Sequence, residues 1–224
     1  MDKLFLIAGL GADTRIYDNL DFTGFEVVPV KWLPTDGCDG LESYARKLAE
    51  AYSITPNSIV IGNSLGAMIG VEIAKIIPLQ KLILTSSIKT VFEAPVYFKL
   101  FYNVPIYNII PEKLFKSVDF LAELVFGQMD KDDTGLFMDM MRGWSTDFLK
   151  WGMAAALNWE NKVIPPNTYH INGDKDLVFS YKKVKDAIII KGGTHIMIYD
   201  MPNEINAVLK KIFSNEIAPI VLPE

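Results

Sequence analysis

The chain predicts an α/β fold built on a mostly parallel sheet flanked by helices. Two observations predict it. Short apolar runs that end in glycine or small residues read as strands, and they alternate with stretches whose apolar residues recur at helical spacing. Strands separated by helices require crossover connections, so neighbouring strands run parallel and both faces of the sheet are covered. The length of 224 residues suits one domain with a modest insertion, and 50% hydrophobic residues supply a large core.

The elements follow in order. Residues 3–8 read as a strand. Residues 25–32 form another, entering the turn Pro34-Thr35-Asp36-Gly37. Leu41, Tyr44, Ala45, Leu48, Ala51 and Tyr52 recur at helical spacing, with Glu42 and Arg46 paired at i, i+4. The apolar run at 58–63 is a strand, and 65–77 is a helix that stops at Pro78. Residues 81–85 and 168–172 are further strands, the second ending at Gly173-Asp174-Lys175-Asp176. Residues 181–185 stand where a full-length helix would be expected, before a buried strand at 187–190 that ends in Gly192-Gly193-Thr194-His195. Ile205, Val208, Leu209 and Ile212 mark a last amphipathic helix. The tail at 218–224 holds two prolines and reads as loose or packed against the body.

Between residues 88 and 162 the pattern changes. Strand periodicity is lost, aromatic residues and Met accumulate, and prolines at 95, 105 and 111 cut the stretch into short pieces. Leu114, Val118, Leu121, Leu124 and Val125 predict one helix, and Phe137, Met140, Met141 and Trp144 another. Most of these side chains are expected simply to pack together. Arg142 is the only arginine in the stretch. It is read as a solvated or ion-paired residue, with binding of a substrate carboxylate as the alternative.

The chemistry centres on Gly62-Asn63-Ser64-Leu65-Gly66, set between a predicted strand and a predicted helix. In that context the pattern makes a sharp turn that presents Ser64 as a nucleophile, and side chains at the two glycine positions would crowd it. A serine hydroxyl needs a base within hydrogen-bond reach. The chain has two histidines, His170 inside a predicted strand and His195 in the loop after the last one. His195 is the candidate base, and His170 is read as a strand residue. An imidazole base needs a carboxylate to fix its tautomer, and Asp174 and Asp176 both lie in the turn after residue 173.

Four segments, Ala8-Gly9-Leu10-Gly11, Gly62-Asn63-Ser64-Leu65-Gly66, Gly173-Asp174-Lys175-Asp176 and Gly193-Thr194-His195, resemble the motifs of the α/β-hydrolase fold superfamily in their order. The resemblance covers nearly the whole chain. It implies a Ser-Asp-His chain order with Ser64 as nucleophile, Asp176 as the acid in preference to Asp174, and His195 as base. Ser86-Ser87-Ile88-Lys89 stands where some members carry the acid, and it holds none. Oxyanion donors are expected from the backbone N–H groups of Leu10 and Leu65. Ala8 stands where the family commonly has a histidine before the first glycine. The resemblance also implies a reduced N-terminus, because the sequence begins directly at the oxyanion strand. It implies a core of residues 1–88 and 162–224, with 89–161 as an inserted helical cap that shapes the pocket.

The expected activity is hydrolysis of a small or medium apolar ester through an acyl-enzyme. One rival is a carbon–carbon bond hydrolase with the same triad and Arg142 as its anchor. Another, of a different class, is a ligand-binding protein with little turnover. Serine at the nucleophile position argues against dehalogenase and epoxide-hydrolase chemistry, which uses aspartate there in this superfamily. A net charge of −5 gives no electrostatic footprint for nucleic acid. Cys38 is the only cysteine, so no intramolecular disulfide is available, and it is read as a thiol without a role. No metal or other cofactor is expected, since the histidines and the cysteine match no ligand spacing. Residues 3–12 superficially resemble a short signal peptide, but they are needed as the first strand and oxyanion loop, so a cytoplasmic location is expected. No apolar run approaches the ~20 residues of a membrane span. The apolar cap could support a homodimer.

Overall fold

In the computed structural model, which describes residues 1–37, 39–103 and 131–221, a single six-stranded sheet carries the chain. Its strands are β1 (Lys3–Ile7), β2 (Glu26–Val30), β3 (Ile59–Asn63), β4 (Lys81–Thr85), β5 (Thr168–Gly173) and β6 (Ile188–Ile190). They lie in the order β2-β1-β3-β4-β5-β6, and every neighbouring pair is parallel. The helices are α1 (Leu41–Ala51), α2 (Leu65–Ile76), α3 (Val96–Asn103), α4 (Lys131–Arg142), α5 (Thr146–Leu157), α6 (Met197–Asp200) and α7 (Pro202–Phe213). Short 3-10 turns occupy Thr14–Tyr17 and Val91–Glu93.

Strand alternation sorts the core into two layers. Phe5, Ile7, Val60, Leu82 and Leu84 face one side, where they meet Tyr44 and Leu48 of α1, Met68 and Ile69 of α2, and Phe148 and Trp151 of α5. Leu4, Leu6, Ile59, Ile61, Ile83 and Ile171 face the other, against Ile16, Phe137 and Met140, and Ile205, Leu209 and Ile212 of α7. β3 and β4 are buried along their whole length, which is why they read as unbroken apolar runs. β2 is an edge strand with mostly exposed residues, and it tolerates Pro29 for that reason.

The expected strands and helices of the core are found to within one residue, β2 excepted: the expected strand at 25–32 shortens to Glu26–Val30, two residues early at its end. The last strand, expected to be buried, is an edge strand with Ile189 exposed. The segment between Asp176 and β6 holds turns and no helix, as expected. The tail is tied to the body through the Ile220 N–H, which donates to the Thr168 carbonyl at 2.8 Å.

The insertion between β4 and β5 departs further from expectation. α4 ends at Arg142, and Trp144 lies beyond it, because the chain turns at Gly143 and restarts at Ser145. Ser145 caps α5 by accepting from the Phe148 N–H at 3.2 Å. The aromatic residues divide: Phe137, Phe148, Trp151 and Trp159 are buried, but Phe92 and Tyr102 are exposed. The helix expected around Leu114–Val125, Cys38 and residues 222–224 lie outside the described residues.

Polar anchors fix the insertion to the core. The Trp159 indole donates to buried Glu72 of α2 at 2.7 Å, and Lys75 closes the other carboxylate oxygen at 2.8 Å. The Trp151 indole donates to the Asp39 carbonyl at 2.8 Å. Its two ends are joined where the Val91 N–H donates to Asn161 O at 2.8 Å and Asn161 Nδ2 to Lys89 O at 2.9 Å. Buried Lys89 pairs with Glu93 and also donates to the Lys185 carbonyl, tying this junction to the segment before β6. No described helix is long and apolar enough to cross a membrane.

The junction of β3 and α2 admits no side chain on its glycines. A Cβ on Gly66 would overlap the carbonyl oxygens of Ile7 and Ala8, and one on Gly62 would lie 2.5 Å from Ala67 Cα. Gly66→Ala is therefore expected to cost at least about 2 kcal/mol in urea unfolding. Gly40→Ala, with nothing within 4 Å, should stay within about 0.5 kcal/mol of wild type.

Candidate active site

Ser64 sits between the last residue of β3 and the first of α2 with φ 52° and ψ −118°, a conformation rare for a residue with a side chain. It is one of the positive-φ positions that only enforced geometry sustains. The enforcement comes from both directions, since α2 must start against the end of β1 and the Ser64 N–H donates to the Thr85 carbonyl at 3.0 Å.

The sheet then brings the other two groups to the same end. Asp176 follows β5, and His195 follows β6. Their loops touch through the backbone: a Cβ on Gly173 would overlap the carbonyl of Gly193, and the Lys175 N–H donates to that carbonyl at 2.9 Å. His195 Nε2 lies 3.1 Å from Ser64 Oγ, and His195 Nδ1 lies 3.0 Å from Asp176 Oδ2. The free oxygen of Asp176 accepts from the Val178 and Phe179 N–H groups at 2.8 and 2.9 Å. Both partners are 5% exposed, and Ser64 is half-buried. A carboxylate held by two amides can keep the imidazole proton on Nδ1 and leave Nε2 free to accept from the hydroxyl. Asp174 turns elsewhere, accepting from the Gly192 N–H at 2.7 Å.

The loop after β1 closes the site on its other side. A Cβ on Gly9 would stand 3.1 Å from Ser64 Cβ, so Gly9 lies directly against the serine, and one on Gly11 would face Met141 and Leu149. The Leu10 side chain packs onto α5 at Gly152 beside Leu65. Leu65 opens α2, where the first N–H groups of a helix have no helical acceptor.

No protein-family model and no curated protein matches the sequence. Solved structures do match. A hydrolase from Oleispira antarctica superposes with a TM-score of 0.75 at 14% identity, over 96% of this chain and 92% of that one. An esterase from Exiguobacterium antarcticum gives 0.74 at 15%, with 96% and 92% covered. A Bacillus megaterium epoxide hydrolase gives 0.70 at 13%, with 96% and 94% covered. The chain has the α/β-hydrolase fold.

Within that fold, Ser64 and His195 open into a cavity of about 160 Å³. Its walls come from Leu10 and Ile16, from Phe137 and Met141 of α4, and from Leu149 and Met153 of α5. Arg142 is exposed and does not line it. A larger groove of about 650 Å³ runs between α1, α2 and the end of α5. It contains none of Ser64, Asp176 and His195, and its buried acids Asp39 and Glu72 are already paired with Lys47 and Lys75. The smaller cavity is the one lined by the hydrogen-bonded pair Ser64 and His195, so it is the candidate site.

Sequence reasoning did not assign the polar residues behind the serine. Ser87 Oγ donates to the Ser64 carbonyl at 2.8 Å. Asn63 Nδ2 donates to Thr85 Oγ1 at 3.2 Å. His170, read as a strand residue, is buried in β5 with Nε2 3.1 Å from the Ser87 carbonyl. Spacing carries no signal for these contacts, which join residues far apart in the sequence.

Burial, with help from the Lys89 charge, pushes the His170 imidazole down to about 3 from the ordinary 6.5. The folded chain keeps this group neutral at pH values where the unfolded chain protonates it. The associated stability is complete above about pH 6.5 and declines as pH falls toward 3, by up to about 1.4 kcal/mol per pH unit. The urea midpoint of wild type should accordingly fall more steeply between pH 6.5 and roughly pH 4 than that of His170→Gln. Parallel slopes would show that His170 titrates normally.

Proposed function

We propose that the chain is a serine hydrolase that cleaves small apolar esters through an acyl-enzyme. The observation that carries this reading is Ser64 Oγ 3.1 Å from His195 Nε2 beside a cavity with apolar walls. His195 takes the hydroxyl proton as Ser64 Oγ attacks the ester carbonyl. Asp176, held by two amides, keeps the imidazole oriented and stabilises the imidazolium. The N–H groups of Leu10 and Leu65 receive the oxyanion of the tetrahedral intermediate. His195 then gives its proton to the departing alcohol. Water activated by the same imidazole releases the acid and restores Ser64.

The stretch 89–161 serves in this reading as the cap over a core of residues 1–88 and 162–224. Phe137, Met141, Leu149 and Met153 line the cavity from that side and favour an uncharged acyl group. A volume of about 160 Å³ favours a short one. An ester substrate is preferred to a carbon–carbon bond substrate because the proposed anchor, Arg142, is exposed and outside the cavity. Esterases among the solved structures of this fold are consistent with the choice.

A fluorophosphonate should label wild type at Ser64 and leave Ser64→Ala unlabelled. A folded wild type that resists the probe would favour a ligand-binding protein instead. Asp176→Asn should lower kcat by about 10³–10⁴-fold through loss of the correct imidazole tautomer. Asp174→Asn should leave kcat within about tenfold of wild type, which corresponds to roughly one neutral hydrogen bond. In a p-nitrophenyl ester series, kcat/KM should fall as the acyl chain lengthens beyond a few carbons. A flat profile would place the acyl group outside this cavity.

A further inference from the structure

The conformation of Ser64 is costly, so whatever holds it controls the direction of its hydroxyl. β4 ends at Thr85, and the next residue, Ser86, takes φ 47° and turns the chain back toward the elbow. Both peptide groups of Ser64 are then tied to this turn. Its N–H donates to Thr85 O at 3.0 Å, and its carbonyl accepts from Ser87 Oγ at 2.8 Å. That carbonyl also receives the first amides of α2, Ala67 at 3.0 Å and Met68 at 3.3 Å. The Ser87 bond is the shortest of the three and the only one that comes from outside α2.

Ser87 is itself held. It is fully buried, and its carbonyl faces His170 Nε2 at 3.1 Å. A carbonyl only accepts, so the His170 proton sits on Nε2 and donates to it. The stretch before the serine is fastened to the same turn, with Asn63 Nδ2 on Thr85 Oγ1 at 3.2 Å and Thr85 Oγ1 donating to Gly62 O at 3.1 Å.

We infer that Ser87 is a positioning residue that orients the nucleophile through the Ser64 carbonyl, with His170 holding Ser87 in place. This rests on Ser64 being the nucleophile. It gives the turn after β4 a part in the reaction without a carboxylate: it aims the serine and leaves Asp176 to orient the base. The two contacts act in series, since His170 fixes the peptide that carries Ser87 and Ser87 fixes the peptide that carries Ser64.

The test uses full-length Ser87→Ala, His170→Leu and His170→Gln, read by fluorophosphonate labelling rate, by kcat and KM on p-nitrophenyl acetate, and by Tm. Ser87→Ala should label and turn over about tenfold more slowly, the kinetic equivalent of one lost hydrogen bond. KM should stay within about twofold, because the acyl cavity is untouched. His170→Leu should show the same split, and His170→Gln, whose amide N–H can reach the Ser87 carbonyl, should recover most of the rate. A Ser87→Ala enzyme with wild-type kcat and labelling overturns the inference. So does a rate loss that merely follows the folded fraction given by Tm. If wild type neither labels nor turns over, the hydrolase reading falls separately, and a crystal structure of Ser87→Ala decides the tie: it stands if Ser64 leaves the positive-φ region and falls if Ser64 stays there.

Discussion

The positive φ of Ser64 is the constraint on which the site depends. It costs on the order of 1–3 kcal/mol and persists only because the surroundings leave no alternative. α2 begins so close to β1 that Gly66 meets main-chain oxygens, and the chain can cross from strand to helix in this space only by a sharp turn. That turn raises the serine above the carboxyl end of the sheet. A parallel sheet delivers every strand to that same end, so groups from loops after β5 and β6 can converge on Ser64 although they are 112 and 131 positions away in sequence.

The parts of the fold that were legible are the parts governed by this sheet. β3 and β4 are buried on both faces, so their apolar runs have sharp ends, and Gly66 just past β3 and Gly173 at the end of β5 mark where backbones must pass closely. Ser64, Asp176 and His195 fall at such ends, and the structure brings the three together. The edge strand β2 was less well bounded because most of its side chains face solvent and impose no pattern. α5 was missed for the opposite reason. Its buried residues Phe148, Trp151, Gly152 and Ala155 share one face, but past Lys150 the rest of the helix is Met153, Ala154, Ala156 and Leu157, so the sequence shows little contrast between the faces. Only its cap, Ser145, carried a local signal. Ser87 and His170 were out of reach because each acts on a backbone carbonyl, and carbonyls leave no trace in composition or spacing.

Polarity in the site is divided by depth. Behind the serine lie groups that bind backbone: Thr85, Ser87, His170 and Asn172, the last donating to the Phe179 carbonyl at 2.9 Å beside the Asp176 loop. In front of it, among the described residues, the cavity offers hydrocarbon and thioether surface from Leu10, Ile16, Phe137, Met141, Leu149 and Met153. Such a wall cannot replace the hydration of a charged acyl group, whereas it favours an alkyl chain by about 25 cal/mol for each Å² removed from water.

The wall is also fixed to the core. α5 is fastened by the indoles of Trp151 and Trp159 to a main-chain carbonyl and to a buried carboxylate, and it meets Leu10 and Leu65 at Gly152. The helix that supplies Leu149 and Met153 therefore packs on the two residues whose N–H groups are proposed to receive the oxyanion. A shift of α5 to admit a longer acyl chain would disturb those donors, because Leu10 and Leu65 are held from the same side. Under the proposed mechanism, substrate size and transition-state stabilisation are then coupled through one packing contact. Widening the cavity by trimming Leu149 or Met153 leaves that contact in place, whereas widening it by moving α5 does not.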